Sequence, residues 1–321
     1  MIQNLIISFV VSVILGKYTI EFLKKRKLRQ IVRIEGPDSH LAKSGTPTMG
    51  GIFVILTVLL MGIITLLSGS IESKSYFAHI LFASIACGFV GFVDDFLKIE
   101  KRNTDGLSPM KQLGSVAIIG LIFSLLMIFA FKKDFILNIP FGGEVKVYKL
   151  LYIPFSIIVL LATTNTLNLT DGIDGLASSV GIIIMMFLLT ISLKAQNSEV
   201  AMLLLSTIGG FLGFLLYNWN KAKVFMGDVG SFFLGGVIGI AALALNIPLY
   251  LFIIAIIPVV EAISVILQVA YFKKTKKRIF LMAPIHHHFE KKGWSELKVV
   301  FIFSSITLIG CILGYVAYIV H

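Results

Sequence analysis

Long apolar stretches alternate with short polar ones along almost the whole chain. A membrane-spanning helix needs about 20 consecutive residues that are mostly apolar, and ten stretches approach or reach that length. The pattern therefore predicts an all-α polytopic membrane protein with about ten transmembrane helices. The predicted helices cover residues 2–23, 49–68, 77–93, 114–131, 151–164, 176–193, 200–217, 230–245, 247–272 and 297–320.

Two features interrupt this pattern. Asn246 and Pro248 separate the eighth helix from the ninth, because proline lacks the N–H that would continue a helix. Residues 134–150 contain two short β-like runs around a pair of glycines, which predicts a small exterior β-hairpin. No linker, low-complexity tract or internal repeat divides the sequence, so we expect residues 1–321 to form one integral membrane domain.

The composition supports a bilayer environment. Apolar residues make up 57% of the chain and charged residues 14%, whereas soluble domains are nearer half apolar and a quarter charged. The net charge is +11, which in a soluble protein could indicate nucleic acid or an anionic substrate. In a membrane protein the same excess is typical of topology, since Lys and Arg gather on the cytoplasmic side. We expect no nucleic-acid partner.

The distribution of Lys and Arg predicts the orientation. With the N-terminus outside, twenty of the 28 basic residues fall in cytoplasmic segments and six in exterior ones. This bias favours an inner-membrane protein with both termini outside. The cytoplasmic segments are then 24–48, 94–113, 165–175, 218–229 and 273–296.

Acidic side chains collect on that predicted cytoplasmic side. Asp94 and Asp95 follow the third apolar stretch, where we expect the helix to end. The C-terminus of a helix carries partial negative charge, so two carboxylates there are poorly placed for stability alone. The pair is therefore interpreted as holding a cation or accepting a proton, in preference to being an ordinary solvated helix end.

Two further segments are polar at the same predicted depth. Asn165, Asn168, Asp171 and Asp174 recur every third residue after the fifth stretch. Glycines among them let the backbone approach a ligand closely, although a polar loop with Asx turns is the plainer alternative.

Asp228 lies between two glycines just before the eighth helix. It could be an N-cap, but with four other carboxylates nearby a magnesium ligand is favoured, since Mg²⁺ prefers one or two carboxylates with waters and phosphates.

Histidines and lysines supply positive charge and donors to this face. His286, His287 and His288 are consecutive, so on a helix they diverge by about 100° each and cannot all bind one metal. We expect them to donate to phosphate oxygens or sugar hydroxyls. Lys98 and Lys111 are candidate substrate contacts, and Lys98 could equally pair with the aspartate four residues earlier.

Glu261 is the acidic residue placed deepest in a predicted helix. Buried carboxylates in membranes are functional candidates, but a structural hydrogen bond to Ser264 or to a neighbouring helix is slightly favoured here.

Neither a P-loop nor a dinucleotide-binding glycine motif occurs in the chain, so a nucleotide substrate would have to be bound by the polar cytoplasmic segments.

Several strings match the phospho-N-acetylmuramoyl-pentapeptide transferase family, within the polyprenyl-phosphate N-acetylhexosamine-1-phosphate transferase superfamily. The chain resembles that family along nearly its whole length and in family order. The histidine string is the most specific of the matches, and one departure is Lys221, where many members have proline. The matching strings are TPTMGG (46–51), DDFLK (94–98), NLTDGIDGLA (168–177), VFMGDVGS (224–231), VVEAISVILQ (259–268) and RIFLMAPIHHHFEKKGW (278–294).

The resemblance implies a reaction. Undecaprenyl phosphate would attack UDP-N-acetylmuramoyl-pentapeptide and release UMP, with Mg²⁺ as cofactor, in a protein of ten helices that forms a homodimer. It implies that Asp94, Asp95 and Asp228 are the catalytic carboxylates, with Asp228 on the metal. The substrate site would include Asn168, Asp171, Asp174 and His286–His288.

Two alternatives remain at this point. One is a sister enzyme that attaches N-acetylglucosamine phosphate to the same lipid, which the choice of UDP-sugar would distinguish. The other is a cation-coupled transporter, whose carboxylates would lie at the membrane midplane. The acidic residues here are predicted to gather at one face, which argues against a transporter.

Overall fold

The chain folds as a bundle of apolar helices. The computed structural model describes residues 2–26, 45–101 and 106–320, so residues 27–44 of the first predicted cytoplasmic segment lie outside it. Within the described ranges, ten helices are long and apolar enough to cross a membrane, which confirms the predicted polytopic fold. The helices are α1 (Ile2–Lys25), α2 (Gly51–Ser68), α3 (Lys74–Lys101), α4 (Pro109–Phe129), α5 (Tyr152–Thr170), α6 (Leu176–Lys194), α7 (Ser198–Asn218), α8 (Gly227–Ala244), α9 (Leu251–Ile254), α10 (Ile256–Thr275), α11 (Ile285–Lys291) and α12 (Glu296–Ile319).

Helix α8 forms the centre of the bundle. In its apolar window 89% of the residues are buried, compared with 22% in α1 and in α10. It packs mainly against α3 and α5, and also against α2. Because α8 begins with Gly227 and Asp228, this central position carries the Asp228 carboxylate between the ends of α3 and α5.

Glycines allow the helices around α8 to approach it closely. A Cβ atom built on Gly51 would lie 2.2 Å from the Cα of Gly230, and one built on Gly91 would lie 2.1 Å from the carbonyl oxygen of Asp228. Membrane helices associate through such small residues, since lipid provides no hydrophobic drive to bring them together. The close crossing of α3 and α8 therefore depends on Gly91.

The predicted end of the third helix is wrong. Helix α3 continues past residue 93 to Lys101, so Asp94 and Asp95 lie inside the helix and not at its end. The hydropathy pattern marks where the apolar slab stops, but the i to i−4 hydrogen bonds continue as long as the backbone has support. Here that support comes from α8, against which both carboxylates are buried.

The fifth helix ends later than predicted and the eighth helix begins earlier, for the same reason. Helix α5 extends to Thr170 and includes Asn165 and Asn168, which were expected in a loop. Helix α8 starts at Gly227, three residues earlier than predicted, so Asp228 lies in its first turn. Polar residues at these helix ends contact other helices, and this tertiary contact extends each helix beyond its apolar stretch.

The ninth predicted helix, residues 247–272, is not continuous. A 3₁₀ turn at Pro248–Tyr250 leads into α9, and α10 begins after Ala255. Pro258 has no N–H to donate to the carbonyl of Ile254, four residues earlier, and its ring disfavours a regular helix there. Pro258 therefore explains the break between α9 and α10.

The predicted hairpin is present. Strands β1 (Ile136–Ile139) and β2 (Gly143–Lys146) pair antiparallel. The N–H of Asn138 donates to the carbonyl of Asn246 over 3.0 Å, just beyond the C-terminal end of α8. The hairpin and Asp228 therefore lie at opposite ends of α8, while the location of the hairpin outside the cell stays a prediction.

Candidate active site

Three carboxylates from two helices form an acidic cluster. Asp94 and Asp95 come from α3 and Asp228 comes from α8, and one oxygen of each lies within 4.8 Å of the others. Asp94 and Asp95 are buried. Two unit charges about 4 Å apart repel by about 4 kcal/mol at an effective dielectric constant of 20. A cluster of this kind therefore requires positive charge close by.

Lys98 supplies part of that charge. Its Nζ lies 2.6 Å from Asp94 Oδ2 and 2.6 Å from Asp228 Oδ2. One turn of α3 separates Lys98 from Asp94, which places both side chains on the same face. Of the two sequence interpretations of Lys98, the ion pair is the one observed here, and it joins α3 to α8.

Asp95 is held by the start of α8. Its Oδ2 accepts a hydrogen bond from the N–H of Val229 over 3.1 Å. The N-terminus of a helix carries partial positive charge, which stabilises an anion there. Gly227 makes this contact possible, because it has φ +72° and a Cβ at its position would lie 2.5 Å from Asp95 Oδ2.

Asp228 itself is not an N-cap. Met226 occupies the N-cap position of α8, and its side chain makes no capping hydrogen bond. The carboxylate of Asp228 contacts Lys98 through one oxygen and accepts a 2.7 Å hydrogen bond from Asn168 Nδ2 through the other. Asn168 Nδ2 also donates to Ser231 Oγ over 3.0 Å. The Asp228 carboxylate therefore contacts side chains of α3 and α5 and does not cap its own helix, α8.

Asp94 is oriented from a third direction. Its Oδ1 accepts a hydrogen bond from the N–H of Leu107 over 2.7 Å. A Cβ built on Gly106 would lie 2.4 Å from the same oxygen, so the segment before α4 runs directly over the carboxylate. Both oxygens of Asp94 are thus engaged, one by Lys98 and one by this segment.

Asn165 lies one turn before Asn168 but does not point to the cluster in the same way. Its Nδ2 donates to the carbonyl of Leu161 in its own helix, over 2.8 Å. Lys111 lies exposed in the first turn of α4, and no hydrogen bond or ion pair joins it to the acidic cluster among the described residues. The structure brings Asn168 into the cluster, and it leaves Asn165 and Lys111 at the periphery.

Asp171 and Asp174 belong to the turn that follows α5. Burial, together with the charges of Asp228, Asp95 and Asp174, raises the pKa of the Asp171 carboxyl well above its usual value. Asp174 Oδ2 accepts a hydrogen bond from the N–H of Ala222 over 2.9 Å. Asp174 therefore ties this turn to the segment before α8, whereas Asp171 lies close enough to the cluster for the charges there to favour its neutral form.

The three histidines have different surroundings. His286 is fully buried, and its Nδ1 lies 3.1 Å from Glu261 Oε1. His287 Nδ1 lies 2.6 Å from Glu290 Oε2, and burial lowers the pKa of the His287 imidazole. His288 Nδ1 accepts a hydrogen bond from the N–H of Leu281 over 3.1 Å. The ring of His286 lies against the turn after α5, since a Cβ built on Gly172 would lie 2.1 Å from its Nε2 atom.

Several supporting residues escape a reading of the sequence alone. Asn218 accepts hydrogen bonds from the N–H of Gly175 and from Ser178, and it donates to the carbonyl of Val224. Its only signal in the sequence is a polar residue at the end of an apolar stretch. Ser231 stands three residues after Asp228, which is one helical turn, and that spacing could have indicated it.

Comparison with known proteins identifies relatives over almost the entire chain. The model of glycosyl transferase family 4 matches residues 77–246, and the first phospho-N-acetylmuramoyl-pentapeptide-transferase signature matches residues 43–55. Proteins named phospho-N-acetylmuramoyl-pentapeptide-transferase are similar throughout. The one from Clostridium botulinum is 44% identical over 98% of this chain and 96% of its own length. The one from Clostridium perfringens is 45% identical over 98% and 97%, and the one from Acetivibrio thermocellus is 40% identical over 97% and 93%.

Proposed function

The chain belongs to the phospho-N-acetylmuramoyl-pentapeptide-transferase family, and on that premise we propose the reaction that it catalyses. The enzyme transfers phospho-N-acetylmuramoyl-pentapeptide from its UDP-activated form to undecaprenyl phosphate. The products are UMP and lipid I, so the reaction is the first membrane step of peptidoglycan synthesis in cell-wall biogenesis. The whole chain acts as one multi-pass membrane transferase domain.

The observation that carries this proposal is the acidic cluster with its lysine. Phosphoryl transfer depends mainly on positioning and on neutralising charge. Asp94, Asp95 and Asp228 converge within 4.8 Å, and Lys98 lies 2.6 Å from two of them. The cluster is at one end of a bundle of apolar helices, where a soluble nucleotide sugar and a lipid phosphate can meet.

The donor set fits magnesium. Mg²⁺ is a hard cation that takes one or two carboxylates together with waters and substrate phosphates. The ammonium group of Lys98 already sits between Asp94 and Asp228, which supports a cation position at that point. We assign Asp228 as the principal metal ligand, with Asp94 and Asp95 beside it. Bound Mg²⁺ would neutralise the oxygens of the diphosphate.

The proposed mechanism is a direct transfer. A phosphate oxygen of the lipid forms a bond to the sugar-linked phosphorus, and the bond from that phosphorus to the bridging oxygen breaks, so that UMP leaves with that oxygen. A phosphate monoester has a second pKa of about 6 and is largely dianionic near pH 7, so it needs little activation. Asp94 accepts from Leu107 and Asp95 accepts from Val229. Carboxylates held in this way favour roles as base and positioning groups over a covalent role.

Isotope exchange separates the direct route from a route through a phospho-enzyme. In the direct route, labelled UMP enters the UDP-sugar pool only when lipid phosphate is present. Exchange in enzyme that has been verified as free of polyprenyl phosphate would contradict the direct route. The control is the same preparation after lipid phosphate has been added back, which should restore exchange.

The substrate site extends from the cluster over the adjoining turns. We propose that the donors bind phosphate oxygens and sugar hydroxyls, and that Asp174 shapes the site through its hydrogen bond to Ala222. Asn165, Lys111 and His288 lie at its edge. The proposed substrate-binding residues are Lys98, Lys111, Asn165, Asn168, Asp171, Asp174, His286, His287 and His288.

The cellular arrangement follows from the charge distribution. We propose that the protein lies in the bacterial plasma membrane with the acidic cluster facing the cytoplasm and both termini outside. The hairpin binds the opposite end of α8, which supports placing it on the exterior side. We also propose that the protein is a homodimer, as the resemblance implies.

The test of the reaction uses purified protein in detergent. The enzyme is incubated with undecaprenyl phosphate, Mg²⁺ and either UDP-N-acetylmuramoyl-pentapeptide or UDP-N-acetylglucosamine, and UMP release is followed. UMP release with the first substrate alone supports the proposal. Release only with the second would identify the sister activity, and cation uptake by vesicles without any UMP release would identify a transporter.

A further inference from the structure

Glu261 and His286 form a buried carboxylate–imidazole pair between α10 and α11. Both side chains have no exposed surface. Glu261 Oε1 lies 3.1 Å from the Nδ1 of His286, and Glu261 Oε2 accepts from the main-chain N–H of the same residue over 3.4 Å. One carboxylate thus contacts both the ring and the backbone of a single histidine.

The deep position of Glu261 is explained by a partner outside its own helix. The Ser264 hydroxyl does lie close, but it donates to the main-chain carbonyl of Glu261 over 2.7 Å and not to the carboxylate. A buried carboxylate is costly in a membrane helix unless it is paired. The described structure pairs it with His286, so the hydrogen bond to a neighbouring segment that the sequence favoured is made to a histidine of the candidate site.

The other nitrogen of His286 is buried and finds no hydrogen-bond partner among the described residues. It points at the turn after α5, because a Cβ built on Gly172 would lie 2.1 Å from this Nε2 atom. Gly172 lies next to Asp171, whose carboxyl has a raised pKa because of burial and the charges of the cluster. Buried polar atoms without a partner are rare in native proteins and call for an explanation.

The contact between Glu261 and Nδ1 of His286 determines which ring nitrogen carries the proton. A carboxylate accepts a hydrogen bond and has no proton to donate when ionised, so Glu261 keeps a proton on Nδ1 and leaves Nε2 facing the turn. In this tautomer Nε2 is a lone-pair acceptor, so it donates to an anionic oxygen only when the ring also holds a proton there, taken from solvent. The Glu261 carboxylate then balances the imidazolium charge. Carboxylates that accept from metal-bound histidines likewise fix the orientation and the tautomer of the ring.

We propose that Glu261 is a positioning residue, which holds His286 so that Nε2 is presented to an anionic oxygen of the nucleotide-sugar diphosphate. The inference rests on the proposed function for the identity of that oxygen. The orientation of the ring does not depend on the substrate. The two parts are therefore tested separately, by spectroscopy on the protein alone and by kinetics with the substrate.

The spectroscopic experiment observes the ring nitrogens of His286. The chain has six histidines, so ¹⁵N-histidine labelling of the full-length protein in detergent gives few signals, and the His286→Gln variant identifies those of residue 286. In the protein without substrate, Nδ1 of His286 should carry a proton. An unprotonated Nδ1 in the wild-type protein would overturn the proposal, whatever the variants do.

The kinetic experiment is a double-mutant cycle with UDP-N-acetylmuramoyl-pentapeptide. Glu261→Gln keeps the side-chain volume and removes the charge, and it should lower kcat/KM by about 10- to 100-fold, as loss of a histidine-orienting partner does in metal sites. In a His286→Gln background the same change should cost less than about twofold, since the two residues would act as one unit. The matched control is Ser264→Ala, which alters a buried neighbour of Glu261 but leaves the contact with His286 in place.

Each outcome decides between positioning and simple anchoring of α11. If Glu261→Gln costs as much with His286→Gln as without it, the carboxylate only anchors the helix and the proposal is wrong. If Glu261→Gln does not fold, the wild-type ring spectrum remains the test. Absence of UMP release by the wild-type enzyme would contradict the proposed function and leave the spectroscopic result standing.

Discussion

At the scale of single residues, the site combines charges that come from distant parts of the sequence. Lys98 and Asp228 are 130 positions apart, and their side chains meet at 2.6 Å. The same aspartate is 60 positions from Asn168, which donates to it over 2.7 Å. Asp228 therefore has a cationic partner on one side and a neutral donor on the other. Its negative charge is the property that the proposed metal site requires.

Asp228→Asn tests that requirement. The substitution keeps the shape of the side chain but removes a metal-binding charge, and we expect UMP release to fall by at least about 100-fold, the scale on which single electrostatic contacts contribute to catalysis. The measurement is turnover across a Mg²⁺ titration, with gel filtration to verify folding. The matched control is Asp134→Asn, at an exposed carboxylate paired with Lys146 at the other end of the bundle. Wild-type turnover with unchanged Mg²⁺ dependence would show that Asp228 is not the ligand.

Asp171 gives a prediction about pH. Burial and neighbouring carboxylates raise the pKa of its carboxyl well above the usual value. A raised pKa means that the folded state binds more protons than the unfolded state above about pH 4. The stability that the protonated carboxyl contributes is complete below that pH and is lost as the pH rises through the folded pKa.

Asp171→Asn should therefore raise the melting temperature of the protein near pH 8. The increase should shrink as the pH falls towards 5, because the free-energy cost of the buried wild-type carboxyl relative to the unfolded chain falls as the pH approaches the unfolded pKa. The measurement is thermal unfolding in detergent and EDTA at several pH values. Equal melting temperatures at all pH values would contradict the raised pKa. A stabilised variant with lower turnover would show that Asp171 is retained for function at the expense of stability.

At the scale of helices, the site depends on how closely α3 crosses α8. Asp94 and Asp95 lie in the last two turns of α3, and Asp228 lies in the first turn of α8. The crossing near Gly91 sets the distance between them. Packed interiors do not yield easily to extra atoms, so the width of this crossing controls the geometry of the cluster.

Gly91→Ala tests the crossing. The new Cβ would lie 2.1 Å from the carbonyl oxygen of Asp228, so the two helices must separate. A displacement of about 1 Å in a catalytic group can reduce the rate by about 100-fold, and we expect a loss of that size in UMP release. The control is Gly114→Ala in α4, where nothing lies within 4 Å of the new atom and alanine favours the helix. If Gly91→Ala and Gly114→Ala have the same activity, the close crossing has no role in the reaction.

At the scale of the whole molecule, polar segments from four parts of the chain meet at one end of the bundle. The ends of α3 and α5, the segment before α8 and the segment around α11 contact one another through hydrogen bonds and close packing. The β-hairpin packs at the other end of α8. The proposed topology places these two ends of the molecule on opposite sides of the membrane.

Single-cysteine labelling tests which end faces the cytoplasm. Cys87 and Cys311 are both buried and are replaced first. Met110→Cys and Tyr148→Cys then place exposed thiols at opposite ends, since these side chains are 79% and 70% exposed. In intact cells an impermeant reagent should label position 148 only, whereas position 110 should react after lysis. Labelling of position 110 in intact cells would show that this end of the bundle faces the exterior, which would contradict the proposed topology.

The sequence by itself determined the number of helices, the hairpin and the types of residue at the site. Helical hydrogen bonds are local, and the length of an apolar stretch is a property of the stretch alone. For this reason ten helices long enough to span a membrane occur in the described part of the chain, although the ninth is shorter than predicted. The three carboxylates predicted to act together do converge. A motif shared with a known family added the expected reaction to this picture.

Tertiary structure alone decided where the helices end and which side chains meet. Helices α3 and α5 continue beyond their apolar stretches because packing against α8 supports the added turns. The contacts of Asp174 with Ala222 and of Glu261 with His286 join segments that are 48 and 25 positions apart. Local periodicity contains no information about such pairs, because each one exists only after separate helices have packed together.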